Sequence, residues 1–276
     1  MIKHILKIIW HQRRNNGWIF VELLLVFAVL CIMMDSLLVN LYTYYKPLGF
    51  DITNVYKVNI GKMSPEIPGY VPDSLLTTTD GEDLVRLVDN IRRAPQVDEI
   101  CLAMNSCPYT WSNSWSQLVR ADADTSVKAN YYQMFNVTVS YFDVLRISDR
   151  EGRPIRPIVE ESTGDIVISG DMETDFFQGR SGKGSKSTTS ETVAAVTSPI
   201  RQNEYVKSKP CFYYLMRTDE DIAKSASDAK PQNMDCLVRM RNGFRMEDMD
   251  SFLEKMKYVL GSKKEKAAFP TDEDFA

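Results

Sequence analysis

A run of apolar residues near the N-terminus constrains the fold of this chain more than any other feature. Residues 18–41 have the sequence WIFVELLLVFAVLCIMMDSLLVNL. At about 1.5 Å per residue, a helix of this length crosses a bilayer. Apolar side chains cover its whole circumference, which conflicts with a buried helix of a water-soluble fold. The run therefore predicts one transmembrane helix.

The residues that flank the run predict its orientation. Four basic residues precede it, Lys3, Lys7, Arg13 and Arg14. By the positive-inside rule, residues 1–17 are then cytoplasmic. Three tyrosines follow the run as an interfacial aromatic cluster: Tyr42, Tyr44 and Tyr45. A cleaved signal peptide is the main alternative, but no small-x-small cleavage site follows. We expect a single-pass membrane protein whose main domain lies outside the cytoplasm.

Two acidic residues, Glu22 and Asp35, interrupt the run. Both lie near its ends, where a charge reaches an interface at lower cost than at the bilayer centre. Together with the four basic residues, they are the candidate contacts for partner proteins. The apolar residues of the first turns recur at helical spacing, which indicates an amphipathic helix on the inner leaflet. It is either a topology signal alone or a contact for a cytoplasmic partner.

Histidine usage limits the chemistry that the outer part can perform. The only two histidines, His4 and His11, precede the apolar run. Nucleophile systems that use an imidazole base, and zinc sites with histidine ligands, therefore have no candidates beyond it. The formal net charge of −4 and the absence of a basic stripe argue against nucleic-acid binding. We predict a noncatalytic protein without a metal or cofactor.

The cysteines are too few for a disulfide scaffold. One lies in the apolar run, and four lie beyond it: Cys101, Cys107, Cys211 and Cys236. A disulfide between Cys101 and Cys107 is sterically feasible if the chain turns at Pro108, and isolated thiols are the alternative.

Patterns of strands and helices mix without strict alternation along the rest of the chain. Strands are predicted over residues 55–61, 97–104, 117–121, 127–139, 165–170, 191–200, 211–217 and 234–241, and helices over residues 79–93, 171–178 and 246–260. Residues 141–155 are predicted to form a short helix that is ended by a charged turn. The mixture predicts an α+β fold over residues 42–261, followed by a polar tail, residues 262–276. Two pairs of adjacent acids are predicted to lie in solvated turns: Glu160 with Glu161, and Asp219 with Glu220.

Three aromatic residues close in sequence, Tyr109, Trp111 and Trp115, have two interpretations. They could form a platform for a ligand, or they could be ordinary core and interface residues. The sequence favours the second.

Four later segments carry a resemblance through their order: YFDVLRISDREGRPI, DIVISGDMETDFFQGRSGKG, ETVAAVTSPI and LVRMRNG. After a basic start and one membrane helix, this order resembles the MacB-type periplasmic core domain of FtsX-like ABC transporter permeases. The family's short helix and Gly-Arg-Pro turn match Phe142, Gly152, Arg153 and Pro154. Its helix ending in Phe and the following Gly-Lys loop match Phe176, Phe177, Gly182 and Lys183. The similarity spans roughly residues 1–260.

The resemblance implies a mixed α/β outer domain, with a division into two subdomains left open, and a noncatalytic role in mechanotransmission for export or efflux. It also implies a bacterial cytoplasmic membrane location and a cytoplasmic ABC ATPase as partner. The chain would pair with itself or with a fuller permease, and a periplasmic adaptor is a further implied partner.

One departure from the family concerns the C-terminal end. Such permeases have three more transmembrane helices after the outer domain, whereas residues 262–276 are polar. A truncated permease, a split half and a single-span protein all remain open. The alternative function is a single-span sensor or scaffold whose outer domain binds a ligand or a protein.

Overall fold

The computed structural model describes residues 13–61, 64–66, 70–72, 75–104, 106–110, 114–118, 130–176 and 191–255. The chain divides into two compact units. One comprises Met1–Pro47 and Glu204–Lys207, and the other comprises Leu48–Asn203 and Ser208–Ala276.

The first unit is built on a long helix, α1, Arg13–Tyr44. An 18-residue window of its segment Gly17–Tyr44 has a mean hydropathy of 2.5, and no residue of that window is buried. By length and composition this segment is the one candidate membrane span in the described part of the chain. The predicted segment 18–41 lies inside it, and the helix continues through the tyrosines beyond. There the Tyr44 ring lies 5.8 Å from that of Tyr205.

The second unit is built on a sheet of eight strands. These are β1 Val55–Val58, β2 Val97–Met104, β3 Ser114–Leu118, β4 Asn130–Thr138, β5 Ile166–Ile168, β6 Val193–Val196, β7 Cys211–Met216 and β8 Asp235–Met240. Their order is β1-β8-β2-β4-β7-β5-β6, and β3 pairs with β4 outside this path. Two pairs, β4 with β7 and β5 with β6, are parallel, and the others are antiparallel. The mixed sheet confirms the α+β prediction.

Six helices accompany the sheet in the described residues: α2 Asp80–Arg93, α3 Tyr141–Val144, α4 Ile155–Glu160, α5 Gly170–Asp175, α6 Asp219–Ala229 and α7 Met249–Lys255. Two single 3₁₀ turns, Pro231–Asn233 and Met246–Asp248, precede β8 and α7.

One face of the sheet is covered by α2, α6 and α7. Leu84 and Val88 of α2 pack there against Ile100 and Leu102 of β2. The two helices α2 and α6 approach closely because position 81 is glycine: a Cβ on Gly81 would clash with the Ala223 backbone. This face is an apolar core of amphipathic helices on β-branched and aliphatic strand residues. We call it the three-helix face.

The opposite face is covered by the short helices α3 and α4. Cys101 and Ala103 of β2 point to it, because alternate residues of a strand face opposite sides of the sheet. Phe142 of α3 and Ile155 of α4 belong to the same cluster. We call it the short-helix face. The fold therefore has three layers, with helices on both sides of the sheet.

The structure corrects the prediction for the acidic pair Asp219 and Glu220. They do not lie in a solvated turn but in the first turn of α6. Thr218 begins this helix with a capping box, since its side chain accepts from the Asp221 N–H and the Asp221 side chain accepts from the Thr218 N–H. Three acids in the first turn also interact favourably with the helix dipole.

Two other predictions differ from the structure. Glu160 is the last residue of α4, a helix that the sequence did not predict. Residues 246–260 do not form one continuous helix, because a 3₁₀ turn precedes α7 and residues after 255 lie outside the described part. Of the two possibilities left open for Cys101 and Cys107, the structure has isolated thiols rather than a disulfide.

Candidate functional site: the post-helix segment and two clefts

The second unit begins at Leu48, and its first residues are hydrogen-bonded to distant parts of the same unit. We call residues 48–54 the post-helix segment. Its Leu48 carbonyl accepts a hydrogen bond from the Arg201 N–H at 2.9 Å, and its Asp51 N–H donates to the Leu145 carbonyl at 2.8 Å. Two regions distant in sequence thus fix the segment at Leu48 and Asp51.

Glycine is required within this segment. Gly49 has φ +85, and a Cβ at this position would lie 2.5 Å from the Pro199 carbonyl oxygen. A larger residue would be strained by the left-handed backbone and would push the segment away from the domain.

Arg239 of β8 holds the post-helix segment in place through hydrogen bonds. Its side chain is buried, with the residue only 2% exposed. Two of its nitrogens donate to the segment, Nη1 to the Thr53 carbonyl and Nη2 to the Asp51 carbonyl, both at 2.6 Å. The third, Nε, donates to the Val144 carbonyl of α3 at 2.7 Å. One guanidinium therefore joins the strand β8, the helix α3 and the post-helix segment.

Two arginines, Arg146 and Arg239, lie close to the carboxylate of Asp51. Its Oδ2 lies 3.1 Å from Nη1 of Arg146 and 3.6 Å from Nη1 of Arg239, and its Oδ1 accepts from the Thr53 N–H at 2.8 Å. Burial alone would raise the pKa of Asp51, but the Thr53 hydrogen bonds and the two arginines outweigh it and lower the pKa. Burial, together with the charge of Arg146, lowers the pKa of Arg239.

A tight turn beside this region contains the Gly-Arg-Pro motif. Asp149 Oδ1 accepts from the N–H groups of Glu151 and Arg153, both at 2.9 Å, and its Oδ2 pairs with the Arg153 guanidinium at 2.7 Å. Gly152 has φ +80, which the turn requires. Pro154 is the N-cap of α4. These family-motif residues therefore build a closed turn that starts α4.

The ionisation of Asp149 depends on this turn. Burial would raise its pKa, but the hydrogen bonds from Arg153 and Glu151 outweigh burial and lower the pKa. The carboxylate form of Asp149 therefore stabilises the turn.

Arg156 of α4 ties the short-helix face together. Its Nη1 lies 2.9 Å from Glu99 Oε2 of β2 and 2.7 Å from Asp143 Oδ2 of α3. Its Nε donates to Glu160 Oε1 at 2.7 Å. The hydrogen bonds to Glu160 and Asp143 are the main cause of a raised pKa of Arg156, so this arginine stays charged.

Two adjoining clefts open beside these contacts. The arginine cleft, of about 380 Å³, is lined by Thr53, Asn54, Asp98, Arg146, Arg239, Arg241 and Asn242. The acidic cleft, of about 510 Å³, is lined by Asp98, Glu99, Asp143, Arg146, Gly152 and Pro154 among others. Asp98 and Arg146 belong to both. Sequence-predicted turn residues and unpredicted arginines thus meet at one place.

The other predicted motif residues lie apart from the clefts or outside the described residues. Phe142 is buried and packs edge to face on Tyr213, with ring centroids 5.7 Å apart. Phe176 packs in the same way on Tyr132 at 5.6 Å. Both residues therefore pack in the core. Phe177, Gly182 and Lys183 lie outside the described residues.

The predicted partner contacts belong to the first unit. Lys3 and Lys7 lie outside the described residues, and Arg13 and Arg14 lie in the first turn of α1. Glu22 and Asp35 are exposed on α1.

The predicted aromatic set does not form a described platform. Trp111 lies outside the described residues, Tyr109 packs edge to face on Phe50, and Trp115 is exposed on β3. Among the described residues, no group of three or more His, Cys, Asp or Glu side chains could hold a metal ion.

The sequence did not indicate that Asp51, Arg146 and Arg239 lie together in one site. A signal for Arg239 existed, since LVRMR places arginines within an apolar strand pattern. A charged residue pointing into a sheet face needs buried partners. The sequence gives no indication of where those partners are.

No family model matches the chain, and no curated protein matches it. Among solved structures, the chain is similar to a domain assigned to a permease protein of Porphyromonas gingivalis, with 14% identity and a TM-score of 0.41 over 61% of this chain and 67% of that one. It is similar to the periplasmic region of MacB from Actinobacillus actinomycetemcomitans, with 13% identity and a TM-score of 0.42 over 76% of this chain and 86% of that one.

A third similar structure is the extracellular domain of the noncanonic ABC-type transporter YknZ from Gram-positive bacteria. Identity is 11% and the TM-score is 0.40, over 72% of this chain and 88% of that one.

Proposed function

We propose that this chain is a noncatalytic component of an ABC transporter permease of the MacB/FtsX type, which transmits ATP-driven movement through α1 to its outer domain for export or efflux. The observation that carries the proposal is the attachment of the post-helix segment. A movement of α1 reaches the sheet domain through residues 48–54, and this segment is bonded to β8, to α3 and to residue 201.

A flexible tether would not transmit such a movement. A Gly- and Ser-rich linker behaves as a random coil, and a displacement at one end is lost before it reaches the other. Here three guanidinium hydrogen bonds and two backbone hydrogen bonds hold the segment and its neighbours in one arrangement. This attachment favours force transmission over a sensor whose anchor serves only to hold it at the membrane.

The proposed topology follows from α1 and its flanks. Residues 1–17 lie in the cytoplasm, residues 18–41 cross the bacterial cytoplasmic membrane, and residues 42–261 lie outside, followed by the tail 262–276. The ATPase belongs to a cytoplasmic partner, and the basic residues before the span contact it. Glu22 and Asp35 contact other membrane helices, from a second copy or from a fuller permease. A periplasmic adaptor is the proposed outer partner.

Copurification tests this proposal. The full chain and a variant lacking residues 1–14 are purified from membranes in mild detergent, and each eluate is assayed for ATP hydrolysis. We expect ATPase activity with the full chain and its loss with the deletion. Protease protection of the outer domain checks that both proteins keep the same orientation. Absence of ATPase from the full-chain eluate contradicts the proposal, and equal recovery from both proteins contradicts the role of the basic segment.

A further inference from the structure

The two clefts carry opposite charge, although they adjoin. The arginine cleft contains the guanidiniums of Arg146, Arg239 and Arg241. The acidic cleft contains the carboxylates of Asp98, Glu99 and Asp143, of which Asp98 also lines the arginine cleft. A ligand that occupies both clefts therefore meets positive charge at one end and negative charge at the other.

Donors remain available on the positive side. Arg241 donates through Nε to the Val97 carbonyl at 3.1 Å, and within the described residues its two Nη groups have no hydrogen bond or ion pair. Arg146 uses Nη1 for Asp51, which leaves its other nitrogens. Arg239 is buried and already donates three of its five N–H groups to backbone carbonyls, so it contributes mainly charge. Two guanidiniums can therefore bind an oxyanion in the field of a third.

One carboxylate remains available on the negative side. Glu99 and Asp143 are both bonded to Arg156. Asp98, in contrast, is exposed and makes no hydrogen bond or ion pair in the described part of the chain. It is the acid best placed to bind a cationic group, because within the described residues its carboxylate has no hydrogen bond or close ion pair and interacts with Arg239 only through longer-range electrostatics.

Two strained backbone positions line the arginine cleft. Arg146 has φ +48 and Asn54 has φ +57, both in the left-handed region. Arg146 follows the C-terminal end of α3, where glycine is the usual residue because it adopts this conformation without cost. An arginine at this position costs free energy that its exposed ion pair with Asp51 does little to offset. Such strain at a cleft is typical of a side chain that is needed for function.

We propose that the two clefts bind one small zwitterionic group that carries a phosphate and a primary ammonium. Arg146 and Arg241 bind the phosphate, and Asp98 binds the ammonium. The charges around the arginine cleft support the phosphate, because Arg146, Arg239 and Arg241 outnumber the neighbouring carboxylates of Asp51 and Asp98. In the acidic cleft, Glu99 and Asp143 are paired with Arg156, which leaves Asp98 for the ammonium. Binding of this group requires neither an ATPase nor a second chain.

Phosphoethanolamine and ethyl phosphate are the matched probes, because they differ by the ammonium group. The full chain in neutral detergent is titrated with each by isothermal calorimetry at constant ionic strength. We expect saturable binding of phosphoethanolamine that is tighter than that of ethyl phosphate. Arg241→Gln should weaken the binding of both by about tenfold, the loss expected for one charged hydrogen-bonding group. Asp98→Asn should remove the preference for phosphoethanolamine without weakening ethyl phosphate.

Arg245→Gln is the control for general electrostatics. Arg245 is exposed, pairs with Glu247 and Asp248, and does not line either cleft. Its substitution should leave both affinities unchanged. Arg146→Gly serves as the test of strain: it should lose affinity while the melting temperature stays equal or rises, because glycine fits the backbone at this position.

The source of the group is decided by a second arm. The chain is reconstituted in vesicles of phosphatidylcholine with and without phosphatidylethanolamine. The binding of phosphoethanolamine to the two preparations is then compared, so that phosphatidylethanolamine acts as the competitor. Competition by phosphatidylethanolamine identifies a lipid headgroup, and its absence identifies a free metabolite. The site is overturned if phosphoethanolamine shows no saturable binding, if ethyl phosphate binds equally well, or if Arg245→Gln weakens binding as much as Arg241→Gln does.

Discussion

Different interactions hold the helices onto the two faces of the sheet. On the three-helix face, regular amphipathic helices bury Leu84, Val88 and Ile91 against aliphatic strand residues. On the short-helix face, helices of four and six residues are too short to be stable alone. There, a buried Arg239, the Asp149 turn and the Arg156 ion pairs position the backbone.

We therefore expect the two faces to contribute differently to stability and to binding. The polar face holds the post-helix segment and lines the arginine and acidic clefts, whereas the packed side chains of Leu84, Val88 and Ile91 line neither of these two clefts. Apolar packing tolerates substitutions that keep volume, while a polar network requires a particular donor at a particular place. Substitutions on the first face should therefore change stability alone, and substitutions on the second should also change coupling or binding.

Replacement of Arg239 should have the largest effect. Arg239→Met removes a buried guanidinium and leaves three carbonyl acceptors without their donor, and we expect a loss of about 4 kcal/mol in the free energy of unfolding. Urea denaturation of the full chain in detergent measures it. Arg241→Met, at the exposed position just after β8, is the control and should cost less than a quarter of that. A loss below about 1 kcal/mol for Arg239→Met would mean that the polar face does not depend on this contact.

Leu84→Ala tests the apolar face. Leu84 is fully buried, and we expect a loss of about 3 kcal/mol from burial and cavity terms. In the same sample, the affinity for phosphoethanolamine should remain that of the unaltered chain. A change in that affinity as large as the one caused by Arg241→Gln would show that the two faces do not act separately.

The two capping boxes on the three-helix face give a smaller effect. Thr79→Ala and Thr218→Ala each remove a side-chain acceptor at a helix start, so each should cost about 1 kcal/mol. Thr174→Ala, at an exposed position in α5, is the matched control and should be neutral or slightly favourable. Equal losses from all three variants would argue against the caps as the cause.

The smallest expected effect is the pH dependence of the Asp149 turn. The folded state lowers the pKa of Asp149, so its contribution is fully present above the unfolded pKa of about 4. It is lost as the pH falls through the lower folded pKa. Asp149→Asn should therefore flatten the acid side of the stability curve relative to Asp228→Asn, an exposed control. Identical curves below pH 4 would contradict the role of the carboxylate.

The three-helix face was largely predictable from the sequence. The strand 97–104 and the helix starting after Thr79 agree with β2 and α2 as observed. Their periodicity and caps are local signals. The helix α6 was missed because DEDIAKSASDA has few apolar residues. It is defined by the Thr218 capping box and by packing of its buried Ala226 in the apolar core rather than by a strong pattern.

The candidate site was much less predictable. The Gly152 to Pro154 turn could be found, because glycine and proline mark turns locally. The hydrogen bonds of Arg239 instead join it to Val144, Thr53 and Asp51, which lie 95, 186 and 188 positions away in the sequence. No local pattern encodes contacts at that separation, and the left-handed φ of Arg146 has no signature in an arginine. Short helices such as α4, with Pro157 inside, also carry too little periodicity to be recognised.

Hydrogen exchange in the post-helix segment tests most directly whether the first residues of the second unit are held firmly in it. Peptides covering residues 48–55 are followed by mass spectrometry in the full chain in detergent, beside peptides from β8 and α2. The Asp51 N–H is bonded to the Leu145 carbonyl, and the Val55 N–H to that of Ile52. We predict protection of this segment close to that of β8, and its loss in Arg239→Met while α2 stays protected. Exchange in the unaltered chain as fast as in an open loop would contradict the proposed transmission of movement.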